Sequence, residues 1–197
     1  VRTEEQLTKE LADLRPAYIY VPAMIMAEQP KLVLPFVEKG AVPVAVLPRI
    51  INERQMKEVY TTLQRLFDYG VNEALVGNLG QVVMARSAGM KLRGDFGLNA
   101  FNSYTLDMLD RMGFLSATAS FELRIAQIKD MAKPLDTELI IYGRLPLMVS
   151  DQCIIKESAG RCACQTPAQM SDRMGSVFPV VKEYGCRNVV YNAHKLY

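Results

Sequence analysis

The stretch EALVGNLGQVVMARSAGMKLRGD, Glu73 to Asp95, decides the fold. Glu73-Ala74-Leu75-Val76 is a short, mostly apolar run, as expected for a strand covered on both faces. Gly77-Asn78 supplies a turn, Gln81 to Ala88 reads as a helix, and Gly89 stops it. Lys91-Leu92-Arg93-Gly94-Asp95 then starts another strand. Strand, helix and strand within so few residues define a βα unit that feeds a parallel neighbour.

Outward from this unit the same rhythm recurs. Towards the N-terminus, Ala17-Tyr18-Ile19-Tyr20-Val21 is a strand whose following helical stretch closes at Gly40. Val42 to Leu47 is the next strand. It leads into a long helix from Asn52, a good N-cap, to Tyr69, with Gly70 as the stop. The spacing of Met56, Val59, Leu63, Leu66 and Phe67 predicts one buried face. Towards the C-terminus, Ser103 is expected to cap a helix running to Met112 and ended by Gly113. Phe114 to Ser120 is a strand, and Arg124 to Met131 its helix. The sixth strand is placed at Glu138 to Tyr142, extending to Val149 around Pro146.

Strands therefore recur about two dozen residues apart. No glycine-rich dinucleotide turn follows the first, which disfavours a doubly wound sheet. The expected fold class is α/β, with parallel βα units forming a partial TIM-like (β/α) barrel. A whole barrel takes about 250 residues, so the reading expects its earlier strands ahead of Val1. That N-terminal part of the barrel is the first expected partner, and a second copy of the chain could equally cover an open edge. Residues 1–150 are assigned to the barrel, and residues 151–197 to a small cysteine-containing appendix with too little apolar surface to fold alone. In the appendix, residues 151–174 read as irregular, and Val177 to Val181 and Arg187 to Tyr191 as a closing pair of strands.

The 197 residues are half hydrophobic and carry a net charge of +2, from 23 basic and 21 acidic side chains. Such balance does not demand nucleic acid. No apolar run approaches the roughly 20 residues of a membrane span, and no secretory core is visible, so a cytoplasmic, reducing setting is expected.

In that setting the four cysteines read as ligands. Cys153, Cys162, Cys164 and Cys186 follow a C-x8-C-x-C-x21-C pattern. Thiolates suit zinc or an iron–sulfur cluster, each of which takes four. The usual CxxC pairs of a zinc ribbon are absent. A metal would supply stability that the appendix lacks.

Polar residues also gather where barrel chemistry is normally placed, at the C-terminal ends of strands. These are Asn78, Asp95, Asn99, Asn102, Ser120, Glu122, Tyr142, Gly143 and Arg144. Glu122 is equally a first-turn residue favoured by a helix dipole, and Arg144 either grips an anion or pairs with Glu138 or Asp151. His194, the single histidine, reads as a surface residue near the chain end. No serine-hydrolase elbow and no HExxH motif is present.

Several motifs taken together resemble the collagenase-like peptidases of unassigned mechanism (the "U thirty-two" peptidases). They are Val76-Gly77-Asn78-Leu79-Gly80, Gly94-Asp95-Phe96-Gly97-Leu98-Asn99, Ser120-Phe121-Glu122-Leu123, and Glu138 through Tyr142-Gly143-Arg144-Leu145-Pro146-Leu147-Met148. The cysteine segment and Asn188-Val189-Val190-Tyr191-Asn192 also fit. The resemblance implies a TIM-like barrel and, by the family's name, proteolysis of collagen-like or other protein substrates. It also implies kinship with iron–sulfur proteins that hydroxylate RNA bases or a quinone precursor, their four cysteines holding the cluster. On that footing the expected catalytic residues are Asp95, Asn99, Glu122 and Arg144. The expected cofactor is a 4Fe-4S cluster or zinc on Cys153, Cys162, Cys164 and Cys186, and the expected substrate is RNA, a small molecule or protein. Pro146 stands where many relatives carry a cysteine, which implies a rearranged ligand set. A non-catalytic, zinc-stapled binding scaffold is the remaining alternative.

Overall fold

A computed structural model of the chain describes residues 1–163 and 168–196. The chain divides into two compact units, Val1–Leu139 and Ile140–Tyr197.

The first unit contains β1 (Tyr18–Pro22), β2 (Val42–Val46), β3 (Glu73–Val76), β4 (Lys91–Gly94), β5 (Phe114–Thr118) and β6 (Asp136–Glu138). They form one parallel sheet in sequential order from β1 to β6. Helices α1 (Lys9–Asp13), α2 (Ala23–Glu28), α3 (Leu34–Val37), α4 (Glu53–Asp68), α5 (Val82–Ser87), α6 (Ser103–Arg111) and α7 (Ile125–Asp130) alternate with them. A flat sheet of this order would hold its outer strands about 24 Å apart, five steps of about 4.8 Å. Instead, the Tyr20 hydroxyl of β1 donates to both carboxylate oxygens of Glu138 in β6, each at 2.7 Å. The sheet is therefore curled, as in half of a TIM-like barrel.

Local chemistry accounts for the main elements. Asn52 Oδ1 accepts from the Gln55 N–H at 3.2 Å while Gln55 Oε1 accepts from the Asn52 N–H at 3.1 Å, a reciprocal cap for α4. Helical stretches end at Gly40, Gly70, Gly89 and Gly113, all in the left-handed region where a side chain is strained. Val59, Leu63 and Leu66 of α4 are buried with Thr62. Met56 and Phe67, expected on the same face, are 46% and 40% exposed. They flank the stripe because Thr62 takes the position beside Leu63.

Three boundaries differ from expectation. Asn102, not Ser103, caps α6, its Oδ1 accepting from the Thr105 N–H at 2.9 Å. Ser103 is the first helical residue, and its Oγ accepts from the Ala132 N–H at 3.0 Å. The sixth strand ends at Glu138 and does not run to Tyr142 or Val149. Pro146–Ser150 instead forms β7 of a second sheet, because its partner is an antiparallel strand 40 residues further along the chain.

The second unit holds β7, α8 (Ile154–Ala159), β8 (Ala168–Ser171), β9 (Val177–Lys182) and β10 (Asn188–Tyr191), its strands in the antiparallel order β7-β10-β9-β8. The closing strands are where expected. The segment read as irregular contains α8 and β8, short elements whose polar composition hides them. Ile155, Val180 and Val190 form a small core, with Cys153 and Phe178 packed against it. Among the described residues no helix is long and apolar enough to cross a membrane.

Candidate functional site

Because the six strands of the first unit are parallel, the segments following them emerge along one edge. Leu47-Pro48-Arg49 follows β2, Gly77-Asn78 follows β3, Asp95 to Asn99 follows β4, and Ala119 to Glu122 follows β5. Gln81, only 4% exposed, ties two of these segments together. Its Nε2 donates to the Pro48 carbonyl at 2.6 Å, and its Oε1 accepts from the Gly77 N–H at 3.2 Å. Gly97 lies so close to the β3 segment that a Cβ there would stand 2.5 Å from the Gly77 carbonyl oxygen. This contact explains the glycine inside Gly94-Asp95-Phe96-Gly97-Leu98-Asn99.

Asp95 occupies the centre of this edge. Its Oδ1 accepts from the Phe96 N–H at 2.8 Å. Burial raises its carboxyl above the ordinary range and Glu138 adds to the rise, while the Phe96 N–H, Arg2 and Arg49 oppose it. Phe96 and Phe121 pack with ring centroids 5.6 Å apart. The guanidinium carbon of Arg49 sits over the Phe96 ring, 5.0 Å from its centroid.

Below the edge, the concave face of the sheet is polar. Arg93, 5% exposed, donates through Nε to Glu73 Oε2 at 2.6 Å. Its Nη1 donates to Ser116 Oγ at 2.9 Å and to Glu138 Oε1 at 3.2 Å. Ser116 Oγ donates to Glu138 Oε1 at 2.5 Å, and the Arg93 guanidinium carbon lies 3.9 Å from the Tyr18 ring centroid. Burial works against the charge on Arg93, but Glu73 and its other neighbours outweigh it and push its pKa up. Burial and Glu138 push the Tyr20 phenol up as well. Sequence reading did not single out this network. Its signal is nonetheless present: Glu73, Arg93 and Glu138 interrupt strands that a fully apolar barrel core would leave uncharged.

The other expected residues serve mostly local roles. Asn78 Oδ1 accepts from the Gly80 N–H at 2.8 Å, starting a tight turn. Asn99 is exposed and adopts a positive φ of 53°, closing the turn Phe96–Leu98. Ser120 is buried and its Oγ accepts from the N–H of Glu122 at 3.3 Å, while the Glu122 residue itself is exposed. Arg144 belongs to the second unit. Its Nη1 donates to the Asn192 carbonyl at 2.8 Å and to the Ala193 carbonyl, and among the described residues it forms no ion pair with Asp151. Asp151 instead takes Arg187 Nε at 2.7 Å. Lys195 Nζ donates to the Tyr142 hydroxyl at 3.4 Å, Gly143 has a φ of 127°, and His194 is exposed.

Cys164 lies outside the described residues. Cys153 is half-buried at the start of α8, its Sγ accepting from the Lys156 N–H at 3.4 Å, whereas Cys162 and Cys186 are exposed. Among the described residues no three His, Cys, Asp or Glu side chains form a group able to hold a metal ion. Cys153, Cys162 and Cys186 thus do not make such a set by themselves.

A curled parallel βα sheet with a half-buried acid, an arginine and an aromatic pair along its C-terminal edge defines a protein of the TIM-like α/β class. The sequence profile of Peptidase family U32 matches residues 30–175, and the chain belongs to that family. No curated protein and no solved structure matches it.

Proposed function

We propose that the C-terminal edge of the first unit's sheet is an acid–base site for peptide hydrolysis, with Asp95 as the proton-holding group. The observation that carries this reading is the position of Asp95, half-buried at a strand end where desolvation raises its carboxyl pKa. A carboxyl with a raised pKa gives and takes a proton nearer neutral pH than an ordinary one, and in its acid form it donates to the departing amide nitrogen as the peptide bond breaks. Arg49 carries positive charge beside it, suited to holding a negatively charged group of the substrate next to the reacting bond. Asn99 and Glu122, exposed on the same segments, are assigned to substrate contact. The Arg93 network acts beneath them as a support.

Cleavage of gelatin and of a mixed peptide pool by the purified protein tests this. Asp95→Asn should lower the rate on the order of a hundredfold or more while the fold is retained. Glu122→Gln should chiefly raise KM. Absence of cleavage, or full activity in Asp95→Asn, would remove the reading.

A second reading keeps the four cysteines as a cytoplasmic iron–sulfur or zinc site serving hydroxylation of RNA or a small molecule. It is favoured by the presence of Cys153, Cys162 and Cys186 in one small unit whose core cluster is Ile155, Val180 and Val190. Metal analysis and a visible spectrum of protein purified without oxygen decide it. Brown protein with iron and sulfide supports a cluster, one zinc without colour supports a staple, and no metal rejects both.

A further inference from the structure

Arg49 differs from the other arginines of the chain that are held by acids. Arg93 lies between Glu73 and Glu138, Arg187 pairs with Asp151, and Arg111 pairs with Asp107. For Arg49 the described contact is the face of Phe96, and among the described residues no carboxylate is within ion-pair distance of it. A guanidinium offers five N–H donors around its edge, and stacking on a ring leaves that edge open. We infer that Arg49 is the anion-binding residue of the strand-end site and receives a substrate carboxylate through a forked pair of hydrogen bonds. The inference rests on the site proposed above and names its substrate class as peptides that present a carboxylate near the scissile bond.

Three features prepare Arg49 for this role. Its backbone is positioned by Pro48, whose carbonyl accepts from the buried Gln81 amide at 2.6 Å. Its side chain is steered by Phe96, which packs in turn on Phe121. Asp95 has Oδ1 engaged by the Phe96 N–H and forms no ion pair with Arg49 among the described residues. A half-buried cation held in place without a carboxylate is matched by a ligand that brings one. The two rings beside it suit an apolar side chain next to that carboxylate. Two sources supply this chemistry: a peptide's terminal carboxylate, or an acidic side chain within it.

The test is binding, which is separable from cleavage. The full chain and its Asp95→Asn variant would be titrated calorimetrically with a tripeptide ending in phenylalanine as the free acid, with its C-terminal amide, and with the amide carrying an internal glutamate. Succinate would serve as a competitor. The free acid should bind on the order of tenfold to a hundredfold more tightly than the plain amide. Arg49→Met should abolish that preference, and Arg49→Lys should restore only part of it, because a lysine keeps the charge and loses the fork. Binding of the glutamate-containing amide in place of the free acid would assign the carboxylate to a side chain. Equal binding of acid and plain amide, no binding of any probe, or an intact preference in well-folded Arg49→Met would overturn the inference. A retained carboxylate preference in a protein that cleaves nothing would reject the acid–base reading alone and leave the anion site standing.

Discussion

At the scale of single residues, Asp95 and Gly97 expose opposite demands of one loop. Asp95 is a carboxyl whose burial raises its pKa above the ordinary value near 3.8. Ionising it therefore costs the folded state more than the unfolded one. The cost is absent below the ordinary value, where both states are protonated. It grows as pH rises from there to the raised folded value, and is constant above that. Asp95→Asn keeps the acceptor for the Phe96 N–H and removes the ionisation. The variant should be more stable than wild type at neutral pH, with the difference closing as pH falls towards 3.8. Denaturant midpoints measured across the acid range would show this. A gap independent of pH would mean that Asp95 is not held above its ordinary value. Gly97 has no such latitude, because a Cβ would stand 2.5 Å from the Gly77 carbonyl, which is backbone and cannot swing aside. Gly97→Ala should destabilise by about 1–3 kcal/mol and displace the Asp95 segment. A loss in urea melts below a few tenths would show that the two loops separate easily.

Elements were largely legible because their signals are local. The α4 helix is recognisable from Asn52, its apolar stripe and Gly70, and the structure places it at Glu53–Asp68. Its cap is reciprocal with Gln55, so Asn52→Ala should cost about 1 kcal/mol, and adding Gln55→Ala should cost less than a second independent loss. Thermal melts of the two single variants and the double variant give that comparison, and strict additivity would argue against a shared cap. The elements that escaped are those with weak local signals. The sixth strand is three residues long and polar, Asp136–Glu138, and lacks the apolar run that marks the other strands. Helix α8 has six residues, and β7 reads as a continuation of the barrel until its antiparallel pairing with β10 is known. Candidate functional groups divide in the same way. Asp95 stands in a compact motif visible in the sequence, whereas the partners of Arg144 are backbone carbonyls that only the folded chain brings near.

On the scale of the whole molecule, what the sequence could not disclose is the way distant strands cooperate through the concave face. Glu73, Arg93, Ser116 and Glu138 come from four strands, and Tyr20 from a fifth, so no window of residues contains their pattern. The bond between Tyr20 and Glu138 spans 118 residues and joins the first strand of the sheet to the last. A parallel sheet of six strands in sequential order has its hydrogen-bonded ladders only between neighbours, so a side-chain contact across the hollow ties its two edge strands in a way the ladders do not. The Tyr20 hydroxyl supplies one, and Glu138 also accepts from Ser116 and Arg93, which fixes the carboxylate towards it. Tyr20→Phe removes the donor and leaves those two partners in place, so the loss should fall near the lower end for a hydrogen bond to a charged group, about 1.5 kcal/mol. Its distribution is the more telling quantity. If the hydroxyl holds the curl, amide hydrogen exchange in Tyr20→Phe should accelerate in β1 and β6 while β3 and β4 change little, since the middle ladders do not depend on closure. Uniform acceleration across all six strands would mean that the bond contributes only to overall stability, and unchanged exchange in β1 and β6 would mean that the ladders set the curvature without it.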